Sequence, residues 1–592
     1  MTEILLFLMQ ACLTVGAVFG LWHILGVPHL WGRYGFRRGF TAVLLLFAAE
    51  MLTGRPMFSS YWLAGWLFFL PWISVFPALQ VRSLERWGIK ILVLKSYLLV
   101  ACAGMMLLTA LSVWGSSAGV YAPFLRGISF IVLLFSGVIC GTYLLYYFVY
   151  DAVFSEGDMI PVLQTNQAEA AGYIKEQVGL KKAVIAGVLF VLYALLAGGI
   201  SILGGVESST VPVVSLIKYK TFALLIISGY SLWHYGKNCF PFYEYKAAKE
   251  YIKEEKRLMK GHAEAVKKIV LDECPETDSD ETVILVIGES ANRDHMKAFN
   301  EEYREETTPW LSENKEEDGF YLFRNAYSNF PQTIQSLSMY LTNKNQYTEG
   351  ENTDIVNIID MARKGGYKTY WLSNQTRTGE YSCFATFVGL GADRAEWTGV
   401  PEGDEIQLLD LLKKIPNQGR KFIVLHLMGS HMPYEDRVPT EFVRQRGRMN
   451  DTKENRYDTS ILYSDYILQS VYEYGKKHLN LQTMIYCADH GENLEYGRAT
   501  AHFKFDMVRI PMFIYLSEKY RNTYQDKAKN LNDHRDAVFT NDLMFDTVCG
   551  IMSLPNNFYK RKYDLSDEQY DLPLETAVTN HGKTKISEDR LS

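Results

Sequence analysis

Hydrophobic positions are distributed differently in the two parts of this chain. Up to about Tyr235 they form a series of long apolar segments, whereas beyond Lys246 short apolar runs alternate with charged and polar residues. An α-helix needs about 20 apolar residues to cross the hydrocarbon core of a bilayer. The pattern therefore predicts a transmembrane domain at residues 1–239, a connecting helix and linker at 240–281, and a soluble domain at 282–592.

Several of the apolar segments are long enough to cross a membrane. The stretch Phe40–Val81 is too long for one helix and is broken by Gly54-Arg55-Pro56, so we interpret it as a hairpin. The first segment lacks a strongly basic start and a clear cleavage site, which favours an uncleaved anchor over a signal peptide. Hydropathy thus predicts about five to seven membrane helices. The other segments are Ile4–Gly26, Ile91–Val113, Ile128–Tyr150, Ala183–Gly204 and Thr221–Tyr235.

The charges of the loops do not by themselves fix the orientation in the membrane. The basic residues within Arg33–Arg38 and within Arg82–Lys90 favour cytoplasmic loops. If the N-terminus is cytoplasmic and the chain crosses the membrane about seven times, the soluble domain lies outside the cytoplasm. The two basic loops then lie outside the cytoplasm as well, against the charge rule. We expect an external soluble domain, because the chemistry argued below requires one. The polar loop at residues 151–182 is then also external, and we expect it to form short helices at the membrane surface.

Beyond residue 282 the pattern alternates between strands and helices. Short apolar runs predict buried strands at Thr282–Ile287, Lys368–Leu372, Lys421–Leu427, Thr483–Tyr486 and Met512–Leu516. Helical patterns separate them, including Asp404–Lys414 and Tyr457–Lys477. Such an alternation is typical of an α/β domain with a mainly parallel sheet covered on both faces. The polar segment Asp564–Ser592 is predicted to be a weakly ordered tail.

Composition narrows the function only slightly. The formal net charge is −6 and the chain has no long basic block, which argues against a nucleic-acid partner. None of the 8 cysteines belongs to a CxxC pair, so the sequence does not indicate a structural zinc knuckle. Cys487 lies inside a strand pattern and is predicted to be a buried thiol.

Acidic and imidazole side chains follow two of the predicted strands directly. Glu289 follows the first strand, and Asp489 and His490 follow the fourth. Each motif alone also suits a capping or loop carboxylate. Together they favour one site, since α/β sheets place their sites at the carboxyl ends of the strands. Two carboxylates and an imidazole suit a zinc-like ion whose fourth position stays open for chemistry.

Two other polar residues are candidates for the same site. Thr333 precedes a helical pattern, so its hydroxyl would cap the helix, and it would also serve as a nucleophile if a metal activated it. Asn374 ends another predicted strand, where its amide would donate to a phosphate oxygen or simply stabilise the loop.

Two of the histidines are favoured as site residues. His431 follows Gly429-Ser430 beyond a strand end, and His502 lies in a Gly/Ala-containing loop twelve residues after His490. His426 falls inside a strand pattern instead and is predicted to be a core histidine.

In this order the motifs resemble the phosphoethanolamine transferases of Gram-negative envelopes, which include lipid A modifiers and mobile colistin-resistance enzymes. These are membrane-anchored members of the alkaline phosphatase and sulfatase superfamily. The resemblance implies an inner-membrane protein with a periplasmic catalytic domain, and a link to polymyxin resistance. The segments that carry it are Gly288-Glu289-Ser290, Thr308-Pro309, Thr333, Gly429-Ser430-His431-Met432-Pro433 and Asp489-His490-Gly491-Glu492-Asn493-Leu494.

The resemblance implies a zinc site made of Glu289, Thr333, Asp489 and His490. Thr333 would be the nucleophile that carries phosphoethanolamine from phosphatidylethanolamine to lipid A or to a core sugar of lipopolysaccharide. We expect the enzyme to act as a monomer.

The same resemblance implies roles outside the zinc site. His431 and His502 would contact the phosphoryl group or a second zinc. Asn374 is the candidate amide donor to the substrate. Thr165 and Glu169, in the loop between membrane helices, would line the donor site near the ethanolamine end.

The chain also departs from part of this family. The lipid A modifiers carry cysteines that flank the nucleophile segment, whereas Asn329–Tyr340 contains none, which looks closer to the branch that modifies core sugars. The acceptor therefore stays open. One alternative is a glycerol-phosphate transferase of the same superfamily acting on an envelope glycan, and another is a membrane sensor without enzymatic activity. The Cys-x-Pro-x-Arg motif of sulfatases is absent.

Overall fold

The computed structural model describes residues 2–25, 40, 43–44, 71–79, 91–117, 119–150, 153–164, 178–208, 215–272, 280–348, 354–375, 383–398, 404–447, 449, 452–498 and 503–590 of the chain. These form two compact units. The first combines Met1–Ile160 with Val178–Lys249, and the second combines Pro161–Gln177 with Glu250–Ser592. The predicted domain boundaries remain predictions.

The first unit is mainly helical in its described residues. A helix occurs at each of the single apolar segments predicted from hydropathy. Its helices are α1 (Thr2–Ile24), α2 (Ile91–Ser117), α3 (Ala122–Tyr150), α4 (Glu156–Gln164), α5 (Gly179–Ser208) and α6 (Ser215–Gly236), with a π-helical turn at Pro71–Val75. The next helix, α7 (Phe242–Lys267), is the predicted connecting helix.

Two stretches of the described residues, Gly119–Tyr150 and Lys181–Ile202, are helical, long and apolar enough to cross a membrane. Large apolar side chains point outward from these helices, as the 62% exposed Ile131 and the 68% exposed Leu195 illustrate. Large apolar side chains exposed along such helices are unusual on a soluble protein and suit contact with lipid. Most of the predicted hairpin at Phe40–Val81 lies outside the described residues, and the number of crossings stays a prediction.

The second unit is built on a sheet of seven strands within the described residues, and the predicted α/β architecture is confirmed. The strands are β1 (Thr282–Gly288), β2 (Phe320–Leu322), β4 (Lys368–Ser373), β5 (Arg394–Trp397), β6 (Lys421–His426), β7 (Leu481–Ala488) and β8 (Met512–Leu516). Their order in the sheet is β2-β8-β7-β1-β6-β4-β5, parallel from β7 to β5 and antiparallel at β2 and β8. Every residue of β1 is buried, as expected for a central parallel strand of Val, Ile and Leu.

Helices connect and cover these strands. Two of them correspond to the predicted helices at Asp404–Lys414 and Tyr457–Lys477. The set comprises α8 (Pro309–Asn314), α9 (Thr333–Tyr340), α10 (Ile358–Lys364), α11 (Phe384–Leu390), α12 (Gln407–Leu412), α13 (Thr440–Arg446), α14 (Lys453–His478), α15 (Glu518–Thr523), α16 (Gln525–Asp533) and α17 (Met544–Ile551).

The C-terminal segment is ordered, so the prediction of a weakly ordered tail was wrong. It contributes the small hairpin of β10 (Val578–Thr579) and β11 (Thr584–Lys585), whereas β3 (Asn325–Tyr327) pairs with β9 (Val538–Thr540). Asp589 near the end of the chain is buried and forms an ion pair with Arg509. This ion pair and the buried side chain of Ile586 hold the polar segment against the domain. The average composition of the segment does not indicate these contacts.

The register of the central strands brings the predicted motifs together. Ile287 at the end of β1 lies opposite His426 of β6 on one side and Cys487 of β7 on the other. The residues that follow these three strands therefore emerge at one edge of the sheet. Cys487 is fully buried, as predicted.

Candidate active site

Three of the predicted metal ligands meet at this edge. Ligand atoms of Glu289, Asp489 and His490 all lie within 4.8 Å of one another, and the three side chains are buried. Glu289 follows β1, and the other two follow β7. The prediction that both strand ends contribute to one cluster therefore agrees with the geometry.

The backbone fixes the ring of His490 in an orientation suited to a metal ligand. Its Nδ1 lies 2.7 Å from the carbonyl oxygen of Gly491. Because a carbonyl can only accept, Nδ1 carries a proton, and Nε2 is the ring nitrogen that faces the two carboxylates. That nitrogen lies 3.3 Å from Glu289 Oε1 and 3.4 Å from Asp489 Oδ2. A hydrogen bond on the far ring nitrogen is the usual support of a metal-binding histidine.

Asp489 has one oxygen that the protein satisfies and one that it does not. Oδ1 accepts hydrogen bonds from the backbone N–H groups of Ser290, at 3.1 Å, and His490, at 2.7 Å. Oδ2 is buried and accepts no hydrogen bond from the described residues. Burial, and then the neighbouring Glu289, raise the pKa of Asp489 to about 8. A buried carboxylate oxygen without a donor is costly unless a cation binds it, so this donor set fits a metal ion.

Glu289 is the negatively charged partner in this pair of carboxylates. Its Oε1 accepts a hydrogen bond from Ser290 Oγ at 2.7 Å, and its Oε2 lies 3.3 Å from Gln375 Nε2. Burial pushes the pKa of Glu289 up, but its hydrogen bond and charge interaction with His490 outweigh burial, and the pKa lies well below its usual range. Glu289 is therefore ionised and available to bind a cation.

Thr333 presents its hydroxyl to the same cluster. Its Oγ1 lies 3.2 and 3.3 Å from the two carboxylate oxygens of Glu289 and 3.1 Å from His490 Nε2. Thr333 is the first residue of α9 and Gln332 is the N-cap, so the predicted capping role of Thr333 was wrong by one position. Gln332 makes no side-chain capping hydrogen bond, and the threonine hydroxyl points to the predicted metal ligands.

The start of α9 is tied firmly to the end of β7. The carbonyl oxygen of Asp489 accepts hydrogen bonds from Ser328 Oγ and Ser336 Oγ, both at 2.6 Å, and from Asn541 Nδ2 at 2.8 Å. These three donors orient the peptide between Asp489 and His490. They also fix Ser336, which lies one turn beyond Thr333, in a buried position where its hydroxyl donates to the Asp489 carbonyl.

The loop Gly429-Ser430-His431 passes close to the backbone of Glu289. Gly429 has a φ of +50°, and a Cβ atom at this position would lie only 2.8 Å from the carbonyl oxygen of Glu289. The backbone N–H groups of Met428 and Gly429 donate to the buried carboxylate of Glu405 at 2.5 and 3.2 Å. The loop therefore requires glycine for both its conformation and its close approach.

Gly429→Ala is expected to lower the free energy of unfolding by about 1–3 kcal/mol, because the left-handed conformation is strained and the added methyl group displaces Glu289. Thermal and denaturant unfolding of the purified chain would measure the loss. Gly419→Ala is a matched control, since Gly419 has a φ of +82° with no atom within 4 Å of its Cβ position. Equal losses in the two variants would show that the contact with Glu289 is unimportant.

His431 is partly buried beside the cluster, with its Nε2 3.4 Å from Arg498 Nη2. Its Nδ1 is 2.7 Å from the carbonyl oxygen of Met432, so Nδ1 donates and the lone pair of Nε2 is directed elsewhere. Burial, and then the positive charge of Arg498, lower the pKa of His431 to about 4. At neutral pH the ring is therefore uncharged and able to accept a proton.

The remaining predicted residues have different outcomes. Asn374 is buried, and its Oδ1 accepts a hydrogen bond from Thr398 at 2.6 Å, while the next residue, Gln375, is the one that reaches Glu289. His426 is buried beside Trp371, as predicted for a core histidine. The predicted site residues His502, Thr165 and Glu169 lie outside the described residues.

Arg498 and Gln375 are site residues that the sequence analysis missed. Nη1 of Arg498 lies 3.0 Å from His490 Nε2 and 3.5 Å from Glu289 Oε1. Both residues lie in loops without a periodic pattern. The only sequence signals are that Gln375 follows a predicted strand end and that Arg498 lies between His490 and the predicted His502.

Comparison with known sequences finds similarity to a family model and to several transferases. Residues 281–554 match the Sulfatase family model. The phosphoethanolamine transferase EptC of Escherichia coli (strain K12) is 24% identical over 427 residues, which cover 64% of this chain and 72% of that protein. The putative transferase YhbX of the same strain is 30% identical over 245 residues, which cover 40% of this chain and 43% of that protein.

A solved structure extends the likeness to the membrane part. The integral membrane protein lipooligosaccharide phosphoethanolamine transferase A from Neisseria meningitidis superposes with a TM-score of 0.53 at 19% identity, covering 88% of this chain and 97% of that one. This establishes the predicted fold class, a multi-pass helical membrane domain followed by a sulfatase-like α/β domain. The relatives also confirm the resemblance on which the prediction of a transferase was based.

Proposed function

We propose that this chain transfers phosphoethanolamine from phosphatidylethanolamine to an acceptor of the cell envelope. Two comparisons support the proposal: residues 281–554 match the Sulfatase family model, and a relative that is 24% identical over 427 residues is a phosphoethanolamine transferase. The acceptor is lipid A or a core sugar of lipopolysaccharide or lipooligosaccharide. The observation that carries the proposal is the Thr333 hydroxyl, which lies 3.1–3.3 Å from Glu289 and His490.

We assign zinc as the metal of this site, held by Glu289, Asp489, His490 and the Thr333 oxygen. The oxygen and nitrogen donors suit zinc, and the donor-free Oδ2 of Asp489 supports a bound cation. When bound, zinc would lower the pKa of the Thr333 hydroxyl and screen the negative charge of the phosphodiester. The number of metal ions is left open, since His431 and His502 would suit either the phosphoryl group or a second ion.

The first half of the reaction forms a phosphothreonine. Thr333 Oγ1 attacks the phosphorus atom of phosphatidylethanolamine, and the bond from phosphorus to the diacylglycerol oxygen breaks. The threonine gives up its hydroxyl proton, and the departing diacylglycerol oxygen takes up a proton. The two carboxylate oxygens of Glu289 at 3.2 and 3.3 Å orient the hydroxyl before the attack.

The second half returns the threonine to its starting state. The acceptor oxygen attacks the phosphothreonine in line and loses its proton, while Thr333 Oγ1 leaves and is reprotonated. His431 is the proposed base for this step, because its Nδ1 donates to the Met432 carbonyl and Nε2 is the nitrogen left to accept a proton. His502 is the proposed second acid or base. Asn374 or its neighbour Gln375 is the proposed amide donor near the phosphoryl group.

The donor site is assigned to the loop between membrane helices. Glu169, together with Thr165, is proposed to bind the ammonium of the ethanolamine headgroup, because in the sequence this carboxylate belongs to a polar segment between two apolar spans, a pattern that predicts headgroup depth. The proposed location is the inner membrane with the catalytic domain in the periplasm, where lipid donor and envelope acceptor are both accessible, and the proposed state is a monomer.

The main alternative is a glycerol-phosphate transferase, and the covalent intermediate distinguishes the two. After incubation of the purified chain with membrane lipids and no acceptor, mass spectrometry of the Thr333 peptide is expected to show a phosphoethanolamine adduct. A glycerol phosphate adduct would support the alternative, and no adduct at Thr333 would contradict both. Mass spectra of lipid A and core sugar, with and without the gene, then identify the acceptor.

A further inference from the structure

The C-terminal hairpin turns through a backbone conformation that side chains rarely adopt. Residues 580–583, the C-terminal turn, connect β10 to β11. Asn580 and His581 have φ angles of +53° and +51°, and Gly582 follows with +77°. Glycine adopts this left-handed conformation readily, but two consecutive residues with side chains in it are uncommon. Such strain persists where surrounding contacts require it, and it concentrates at functional sites.

The C-terminal turn contacts the segment before α9, which comprises residues 328–332. The backbone N–H of His581 donates to the carbonyl oxygen of Asn329 at 3.0 Å, and Thr579 Oγ1 donates to the carbonyl oxygen of Ser328 at 2.5 Å. Thr579, Ser328 and Asn329 are fully buried. Buried carbonyl groups are costly without a donor, so these two hydrogen bonds fix the backbone just before the proposed nucleophile.

The ring of His581 adds a side-chain contact with the same segment. It packs on the ring of Phe330, with the centroids 4.4 Å apart and the planes at 38°. Phe330 is buried and lies three residues before Thr333. Burial, and then the positive charges of Lys344 and Lys583, lower the pKa of His581 to about 3. The ring is therefore uncharged at neutral pH and packs as an aromatic group.

Other contacts hold the hairpin in place. Gln346, which lies beyond the other end of α9, accepts a hydrogen bond from the Gly582 N–H at 2.9 Å and donates to the Val578 carbonyl at 3.0 Å. The ion pair of Asp589 with Arg509 anchors the chain beyond β11. Because these anchors lie outside the segment before α9, the hairpin provides a fixed support for that segment.

We propose that His581 and the C-terminal turn position the Thr333 hydroxyl for attack on phosphorus. The turn holds the segment before α9 so that this hydroxyl stays 3.1–3.3 Å from Glu289 and His490. The inference rests on the proposed function. His581 is a positioning residue, since it acts through Phe330 and the backbone. Misplacement of a reacting atom by about 1 Å lowers a rate by up to about a hundredfold.

The test compares His581→Asn with the wild-type full-length chain in detergent. Asparagine tolerates the left-handed conformation and keeps the backbone N–H, but it removes the ring from Phe330. The kcat for transfer from phosphatidylethanolamine is expected to fall by roughly tenfold, while KM and zinc content stay as in wild type. Formation of the Thr333 adduct, followed by mass spectrometry in a single turnover, should slow as well.

A double-mutant cycle tests whether His581 acts through Phe330. Phe330→Leu keeps an apolar side chain but loses the ring contact, so it should also slow adduct formation. The double variant should be little slower than the slower single variant, because each change removes the same contact. Fully additive losses would show that the ring contact has no role in positioning.

Thr579→Val provides a second test if His581→Asn does not fold. Valine has nearly the same shape and suits a strand, but it cannot donate to the Ser328 carbonyl. This variant is also expected to slow adduct formation with zinc content unchanged, since it releases the same segment at a different atom.

His534→Asn is the matched control. His534 is also partly buried and packs on an aromatic ring, that of Tyr570, with the centroids 5.2 Å apart, and its Nδ1 lies 2.8 Å from the Leu565 carbonyl oxygen. None of these contacts involves the segment before α9. The kcat of His534→Asn should therefore match that of wild type, even if its melting temperature falls.

The outcomes separate this inference from the proposed function. If wild type forms the Thr333 adduct and His581→Asn and Thr579→Val form it equally fast, the inference is wrong. It is also wrong if their rates fall only in proportion to a loss of zinc or of folded protein. If wild type forms no adduct at Thr333, the proposed mechanism is refuted and the inference falls with it. A lower kcat at unchanged KM and zinc content, with His534→Asn unaffected, supports positioning.

Discussion

Thr333→Ala is expected to lose group transfer by roughly a thousandfold or more, because removal of a covalent nucleophile leaves only the binding and electrostatic contributions of the site. Thr333→Ser is expected to keep measurable transfer, since serine retains the hydroxyl. The measurement is the rate of phosphoethanolamine transfer from phosphatidylethanolamine by the full-length chain, together with the mass of the peptide that contains residue 333. The adduct should be present in the serine variant and absent from the alanine variant.

Zinc content is the control that separates loss of the nucleophile from loss of the site. Thr333→Ala leaves Glu289, Asp489 and His490 unchanged, so at least part of the zinc should remain bound. Ser336 is the nearest alternative nucleophile on α9, but its hydroxyl is buried and donates to the Asp489 carbonyl at 2.6 Å. Wild-type transfer by Thr333→Ala would require another nucleophile and would refute the phosphothreonine mechanism.

The sequence predicted the central strands to within a few residues, because each is a continuous buried run. Thr282–Ile287 was predicted and Thr282–Gly288 is observed, and the match at Met512–Leu516 is complete. The short strands β2, β3 and β9 were missed, since three residues are too few to show a pattern. They depend on pairing with distant segments, as in the contact of Asn325 with Val538.

The site was predictable where its residues follow strands and not where they lie in irregular loops. Glu289, Asp489 and His490 occupy the ends of two strands that the apolar pattern identifies. Arg498 could not be placed in the same way, because its position depends on a loop whose path the pattern does not reveal. The same limitation applied to the C-terminal segment, where pairing of Asp589 with Arg509 orders a stretch that looks polar and unstructured.

Asp489 offers a test in which metal binding and stability change in opposite directions. Asp489→Asn is expected to abolish most zinc binding, because it removes one of the charged ligands. The metal-free variant should nevertheless be at least as stable as metal-free wild type. Burial and the nearby Glu289 raise the pKa of Asp489, so the negative charge is unfavourable without a metal. Asparagine is uncharged at every pH, as the metal-free Asp489 carboxyl largely is at neutral pH, and it keeps an oxygen for the N–H groups of Ser290 and His490.

Zinc content by elemental analysis and melting temperature after chelation would measure these two effects. Asp465→Asn is a matched control: Asp465 is also buried, burial raises its pKa to about 7, and its carboxylate accepts hydrogen bonds from Trp310 and Leu311, away from the metal ligands. It should leave zinc content unchanged. Full zinc occupancy in Asp489→Asn would refute the assignment of Asp489 as a ligand. A large loss of stability in the metal-free variant would instead show that Asp489 has a structural role, which the donor-free Oδ2 does not reveal. A carboxylate that serves only to bind the metal should not destabilise the metal-free protein when its charge is removed.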